Sequence, residues 1–106
     1  MNREERIKAA LNGQPVDRVP VGAWMHFSAV DQDPISLAEA EVAFTEKYDF
    51  DFIKMMPFGL YSTQDFGTKI KFYCTPHEEP IVLRPAINSL SCYEKIEPIS
   101  GLQGTY

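Results

Sequence analysis

The sequence has 106 residues, of which 44% are hydrophobic and 24% are charged, and its formal net charge is −5. This composition indicates one folded domain or part of one, and it excludes an intrinsically disordered chain. Nucleic acids and anionic membrane surfaces select clustered Lys and Arg, whereas the ten basic residues here are scattered, so we expect neither partner. Two cysteines, no signal-like start and no long apolar run predict a cytoplasmic protein with reduced thiols.

A first helix is predicted close to the amino terminus. Asn2 can cap it, and Glu5 stands at the position from which a carboxylate reaches back to the cap residue. Apolar residues then recur at helical spacing as far as Leu11. The Asn-Gly pair at residues 12–13 tolerates the left-handed conformation that ends helices, so the helix should stop there.

A strand, a helix and a second strand are predicted next. Residues 18–25 are apolar at consecutive positions, which is typical of a strand buried on both faces of a parallel sheet. A capping box at residues 36–39 predicts a helix that continues to about Tyr48, and residues 52–56 resemble a second strand. These elements form one βαβ unit, whose crossover requires parallel strands.

The last part of the chain has a different pattern. Residues 68–75 alternate between apolar and polar side chains, residues 76–80 form a turn, and a return strand begins at residue 81. This pattern predicts an antiparallel hairpin, followed by a short helix over residues 90–96. Two parallel strands with one helix leave sheet edges and one sheet face uncovered, so we expect the rest of a doubly wound sheet or barrel to cover them.

Several segments resemble one enzyme family. Residues 2–13 (NREERIKAALNG) and 15–21 (PVDRVPV) are similar to the opening of the uroporphyrinogen decarboxylase family. Residues 48–53 (YDFDFI) resemble the second strand of that family, and residues 66–72 (FGTKIKF) resemble the start of its hairpin. The family includes the haem-pathway decarboxylases and the corrinoid- and coenzyme-M-type methyltransferases.

The resemblance implies a fold and a domain organisation. We expect an α/β protein in which this chain is the N-terminal part, roughly the first third, of a (β/α)8 TIM barrel with an added β-hairpin. Residues 1–57 would supply a helix and the βαβ unit. Residues 58–106 would supply a loop, the hairpin and the start of the next element, and the active site would lie at the C-terminal ends of the strands.

The residues that distinguish the true decarboxylases are missing. The resemblance places two carboxylate-binding arginines within residues 24–28, which contain none, and it places the decarboxylase aspartate where Phe58 stands. We therefore expect a divergent, methyltransferase-like member whose full-length protein is a tetrapyrrole- or corrinoid-linked lyase or methyltransferase, with this chain inactive alone. The alternatives are uroporphyrinogen decarboxylase proper, a free-standing small α+β binding module, and a small zinc module.

The candidate substrate-binding residues lie within or just after the two predicted strands: His26, Trp24, Lys54, Phe58 and Tyr61. Histidine titrates near neutral pH, and a lysine within an apolar strand can bind an anionic group. The alternatives are packing of His26 beside Trp24 and pairing of Lys54 with a structural acid. No catalytic residue is assigned. The expected partners are a small-molecule substrate and either the remainder of the barrel or a second copy.

A metal site is not expected within the chain. Cys74 and His77 have a metal-like spacing and Cys92 could be a third ligand, but a structural zinc site requires four ligands. Cys74 is instead predicted to lie on the buried face of its strand. In the methyltransferases that the chain resembles, zinc activates a thiol acceptor through ligands in the later two thirds of the barrel. Zinc is therefore expected only in a methyltransferase-like full-length protein.

Overall fold

The computed structural model describes residues 1–104. Its elements are, in order, α1 (Arg3–Leu11), α2 (Pro34–Lys47), α3 (Tyr61–Gln64), β1 (Lys69–Lys71), β2 (Ile81–Arg84) and a 3₁₀ helix (Leu90–Lys95). The two strands form one antiparallel sheet. None of the helices formed by these residues has the length and apolar character that a membrane span requires.

Helix α1 begins and ends where the sequence predicts. The Glu5 N–H donates to the Asn2 side chain at 2.9 Å, and the Asn2 N–H donates to the Glu5 carboxylate at 2.9 Å. This reciprocal pair satisfies two of the N–H groups that every helix start leaves unpaired. Beyond Leu11, Gly13 adopts φ +66°, a left-handed conformation that glycine reaches without strain.

Helix α2 begins two residues before the predicted capping box, and the cap is a different residue. The Asp33 carboxylate accepts the Ser36 N–H at 2.8 Å, and Pro34 occupies the first turn, where its missing N–H costs nothing. The helix buries Leu37 on its inner side. The predicted helix is therefore confirmed, while its predicted start at Ser36 is wrong.

Aromatic side chains fix the end of α2. The ring of Phe44 contacts the rings of Phe27, Tyr48 and Phe50, with centroid distances between 5.1 and 5.7 Å. Edge-to-face and tilted arrangements of this kind are the favoured geometries of aromatic pairs. The four rings hold the chain before and after α2 against the helix, and this arrangement positions the segment that follows Asp51.

The predicted parallel strands do not form a sheet. Residues 18–25 and 52–56 lie side by side, but only the bond from the Asp51 N–H to the Val21 carbonyl, 2.7 Å, joins their main chains within residues 1–104. The Val21 N–H donates to the Asp51 carboxylate at 2.8 Å instead of to a backbone carbonyl, and Pro20 has no N–H to donate. The two segments therefore lack the ladder of backbone hydrogen bonds that a sheet requires.

The predicted fold class is therefore wrong. The described residues form a small mixed structure of four helices and one two-stranded antiparallel hairpin, not an α/β unit with a parallel sheet. The βαβ assignment within residues 1–57 fails with it, and so does the TIM-barrel interpretation. The predicted second part, residues 58–106, extends two residues past the described range.

The hairpin is confirmed, and its strands are shorter than predicted. Lys71 pairs with Ile81 and Ile70 with Val82, with an irregularity between Lys69 and Ile70. The turn includes Cys74, which has φ +55° and an exposed side chain. The expectation that Cys74 lies on a buried strand face is wrong because β1 ends before it.

The apolar core is very small. Within residues 1–104, Leu37 and Phe58 are the hydrophobic side chains that are fully buried. The accessible surface is 7620 Å², whereas a compact protein of this mass exposes about 6,000 Å². The radius of gyration is 18.3 Å, against about 13 Å for a compact domain of this length. Much apolar surface therefore remains open to solvent.

Candidate functional site

A partly buried ion-pair network fixes the candidate site to α1. Arg6 donates from Nε and Nη2 to the two Asp17 oxygens at 2.7 and 2.8 Å and from Nη1 to Asp51 at 2.5 Å. Arg18 donates to the same Asp51 carboxylate at 2.6 and 3.0 Å. Bidentate arginine–carboxylate pairs are strong and geometrically specific. They bind α1 to the starts of both extended segments, which carry the candidate residues.

The network shifts the pKa values of its carboxyl groups. The hydrogen bond from Arg6 holds the pKa of Asp17 well below its usual range. Burial raises the pKa of Asp51, but the Val21 N–H, Arg6 and Arg18 together outweigh burial, so that the pKa lies below its ordinary value. Both groups are therefore charged at neutral pH, and they pair with arginines. Their role is positioning.

Three of the five candidate residues meet in one cluster. The Lys54 ammonium lies 4.4 Å from the centroid of the Trp24 ring, and the His26 ring contacts Trp24 edge to face at 6.1 Å. A cation over a tryptophan face is attracted by the ring quadrupole. Trp24 remains 51% exposed and Lys54 is exposed, so both are accessible. We call Trp24, His26 and Lys54 the cationic aromatic cluster.

The approach of the two segments creates this cluster. Gly22 lies against Phe52, and a Cβ at this glycine would come within 2.5 Å of the ring. Each contact between the segments joins residues that are the same number of positions apart in the sequence: Val21 with Asp51, Gly22 with Phe52, and Trp24 with Lys54. The segments therefore run in the same direction with the same rise per residue. A side chain at residue 22 would therefore displace the Phe52 ring from its present position.

His26 has a ring nitrogen without a hydrogen-bond partner in the described part of the chain. Its Nδ1 atom is buried and has no hydrogen-bond partner within residues 1–104. A buried polar atom without a partner costs about 1–3 kcal/mol. The ion pairs of the described residues do not include Lys54, and Asp51, the carboxylate three residues before it in the chain, pairs with Arg6 and Arg18. The expectation that Lys54 pairs with a structural acid is not met in this part of the chain.

Phe58 and Tyr61 lie elsewhere. Phe58 is 0% exposed and packs edge to face on Tyr61 and on Phe72, with centroids 6.4 and 5.2 Å apart. Tyr61 begins α3 and lines an apolar cavity of about 280 Å³ with Leu37 and Met55. The structure thus places Phe58 in the core and separates both residues from the cationic aromatic cluster.

Asp31 is a buried acid in the loop that precedes α2. Its side chain is fully buried, and the Gln32 amide donates to it. Burial raises the pKa of Asp31, Glu79 raises it further, and Gln32 and His26 lower it in part. The Cys74 thiol donates to the Gln32 carbonyl oxygen at 3.2 Å, which joins this loop to the hairpin.

The candidate metal ligands do not come together. Over residues 1–104, no group of three or more His, Cys, Asp or Glu side chains could hold a metal ion. Cys74 bonds to Gln32, whereas the Cys92 thiol contacts Ser89 at 3.3 Å and donates to Asn88 at 3.2 Å. The Ser89 hydroxyl lowers the pKa of Cys92. Both cysteines are free thiols.

Comparison of the chain with protein-family models, with characterised proteins and with solved structures gives no match. Function is therefore inferred from the cationic aromatic cluster and from the residues that carry the resemblance.

Proposed function

We propose that the chain is part of a methyltransferase-like member of the uroporphyrinogen decarboxylase family, and that its cationic aromatic cluster binds an anionic tetrapyrrole or corrinoid. The observation that carries the proposal is the meeting of Trp24, His26 and Lys54. A half-exposed indole, a lysine without an ion pair in the described chain and an unsatisfied imidazole nitrogen lie together. They suit a planar ring with carboxylates, because the indole offers a stacking face and Lys54 offers charge.

The positioning network supports the family part of the proposal. Arg6, Asp17 and Arg18 belong to the segments that resemble the opening of the family, and Asp51 belongs to the segment that resembles its second strand. These four residues form the connected network of arginine–carboxylate bonds. Because these charged residues bind one another, there is a physical reason for the segments that carry them to occur in the same protein. The reaction of the full-length enzyme would be that of a lyase or methyltransferase.

The residues that stand at the decarboxylase positions also support the exclusion of decarboxylase chemistry. Phe58 stands where the resemblance places the decarboxylase aspartate, and it is buried between two other rings. It presents no carboxylate that could accept pyrrole N–H groups or stabilise a pyrrolic cation. Residues 24–28 contain no arginine. Conversion of uroporphyrinogen to coproporphyrinogen by the full-length protein would overturn this exclusion. A zinc ion, if the full-length protein uses one, would require ligands outside the cysteines described above.

A small α+β binding module is the second candidate function. The observation that favours it is the fold itself, four helices with an antiparallel hairpin and no parallel sheet among the described residues. Such a module would bind the same anionic ring without any reaction. Turnover of a methylated corrinoid or of a porphyrinogen by the full-length protein supports the enzyme, whereas stoichiometric binding without turnover supports the module.

Binding is tested by the fluorescence of Trp24, the only tryptophan in the sequence. The 106-residue chain is titrated with uroporphyrin and with hydroxocobalamin, and free N-acetyltryptophanamide corrects for absorption of light by the ligand. We expect saturable quenching by at least one of them. Lys54→Met keeps most of the side-chain length but removes the charge, and it should weaken uroporphyrin binding about tenfold or more, the loss expected for one charge-assisted hydrogen bond.

A matched control is available in the hairpin. Lys71 lies 4.5 Å from the ring centroid of Tyr73, so Lys71→Met removes the same charge from the same kind of cation–aromatic contact. This variant should bind uroporphyrin like the wild type. If both substitutions weaken binding equally, the effect comes from the net charge of the chain and not from the position of Lys54. Absence of saturable quenching by both ligands would refute the proposal.

A further inference from the structure

The hairpin carries three basic side chains that form no ion pair within residues 1–104. Lys69 and Lys71 lie on β1, Arg84 ends β2, and all three are exposed. The ion pairs of the described residues include every basic residue before α2 but none of these three. We call Lys69, Lys71 and Arg84 the basic hairpin face. In a chain whose net charge is −5, such a concentration of unpaired positive charge calls for a physical explanation.

An irregular register brings two of these cations opposite each other. Ile70 pairs with Val82, as a regular antiparallel hairpin requires. Lys69, the residue before Ile70, pairs with Arg84 instead of with Leu83. Leu83 is therefore an extra residue on β2, which is the definition of a β-bulge. Bulges re-aim side chains beside functional sites, and this one places Arg84 opposite Lys69.

The bulged register is held at the base of the hairpin. Thr68 is 7% exposed, and its hydroxyl accepts the Ala86 N–H at 3.3 Å. Pro85, which separates Arg84 from Ala86, has no N–H to donate to a ladder. A buried side chain thus bonds to the opposite strand directly beside the pair of Lys69 and Arg84. The two cations are therefore fixed in place by the backbone on which they lie.

The three positive charges share one face of the hairpin. Paired residues of antiparallel strands point to the same face, and so do residues two apart on one strand. Ile70, between the two lysines, is half-buried on the other face. The Lys71 ammonium lies 4.5 Å from the ring centroid of Tyr73, which is two residues further along. Like charges directly opposite each other destabilise a sheet, so an anion bound among them would remove an unfavourable interaction.

The residue types favour a small molecule with linked phosphate groups. Arg84 offers a planar fork that binds two phosphate oxygens, and lysines act as point charges. A phosphate group carries roughly 1.5 to 2 negative charges at neutral pH, so two linked groups compensate three cations better than one does. Residues 72–80 contain no Lys or Arg but contain Glu78 and Glu79. An extended polyanion such as a nucleic acid would therefore meet acids beyond the face.

We propose that the basic hairpin face binds the diphosphate group of a small molecule, whose oxygens accept hydrogen bonds from Lys69, Lys71 and Arg84. The bound group would join β1 to β2 across the bulge and stabilise the hairpin. The proposal does not rest on the proposed function, because the cationic aromatic cluster belongs to the two segments that precede the hairpin.

A ¹H–¹⁵N NMR titration of the 106-residue chain with inorganic pyrophosphate at low salt tests the proposal. We expect the backbone of residues 69–71 and 81–84 to shift together and to saturate with a dissociation constant below about 1 mM. Lys69→Met and Arg84→Met should each weaken binding about tenfold, the loss expected for one charge-assisted hydrogen bond. Arg84→Lys keeps the charge without the fork, so its affinity should lie between those of the wild type and Arg84→Met.

A matched control is available on α2. Lys47 is exposed and its ammonium also lies over an aromatic ring, 5.3 Å from the centroid of Tyr48. Lys47→Met removes the same charge outside the hairpin and should leave pyrophosphate binding unchanged. Sulfate, which has one tetrahedral group, should bind at least about tenfold more weakly than pyrophosphate.

The hairpin should remain paired in the methionine variants, because each removes one of two opposed cations, and the amide resonances of β1 and β2 without ligand verify this. Absence of saturable shifts in the hairpin of the wild type would overturn the proposal. Shifts concentrated at Trp24 and Lys54 would also overturn it. Equal weakening by Lys47→Met would reduce the binding to net charge, and equal affinity for sulfate would refute the diphosphate assignment.

Discussion

Replacement of Phe58 by alanine tests whether this residue is core or site. Phe58 is 0% exposed and contacts two rings edge to face, and loss of such a phenylalanine costs about 3–5 kcal/mol of unfolding free energy. A chain of this length has a total stability of about 5 kcal/mol at the lower end of the usual range. Since Leu37 is the other fully buried hydrophobic side chain described, the lower end applies here. Phe58→Ala should therefore leave a substantial unfolded fraction at 25 °C.

The assay is urea unfolding followed by far-ultraviolet circular dichroism. Leu90→Ala is the matched control, because Leu90 is 86% exposed and its truncation should change the unfolding free energy by about 0.5 kcal/mol or less. If the two variants show the same urea midpoint, Phe58 does not belong to the core. Wild-type stability of Phe58→Ala together with weakened uroporphyrin binding would move this residue back to the site.

Three further predictions concern charge and capping. Burial raises the pKa of Asp31, so the free energy of unfolding falls as the pH rises from the pKa of the unfolded chain towards the pKa of the folded chain. Asp31→Asn should therefore raise the Tm at pH 7, and the gain should shrink in acid. The pKa values of Asp17 and Asp51 are lowered in the folded chain, so the stability that these groups contribute is present above the pKa of the unfolded chain. The Tm should therefore fall in acid titrations below about pH 4. A flat Tm from pH 5 to pH 2 would contradict this. Asn2→Ala removes the α1 cap and should cost about 0.5–2 kcal/mol in urea unfolding, and no loss would show that the cap is not formed.

Local signals in the sequence predicted the local elements. The Asn2 capping box, the Asn-Gly stop and the alternation before the hairpin depend on neighbours a few residues apart, and the structure confirms the elements they predict. The parallel strands failed because their outcome depends on a distant side chain. Asp51 takes the Val21 N–H that a ladder would need, and its own carboxylate is held by Arg6 and Arg18. Nothing in residues 18–25 alone indicates this competition.

The site was predicted in part. Trp24, His26 and Lys54 were candidates because they lie within or just after the two apolar segments, and the structure brings them together. Phe58 was a candidate for the same reason, but its ring turns towards Phe72 in the hairpin region.

The most direct test of the cationic aromatic cluster is a ¹H–¹⁵N NMR titration of the chain with uroporphyrin, because the ring current of a stacked porphyrin shifts nearby resonances strongly. The account predicts that the Trp24 indole, the His26 ring and the backbone of residues 22–26 and 52–54 shift together and saturate with one affinity. Shifts concentrated on the cavity lined by Phe66, Ala86 and Ile96, or no saturable shifts at the cluster, would contradict it.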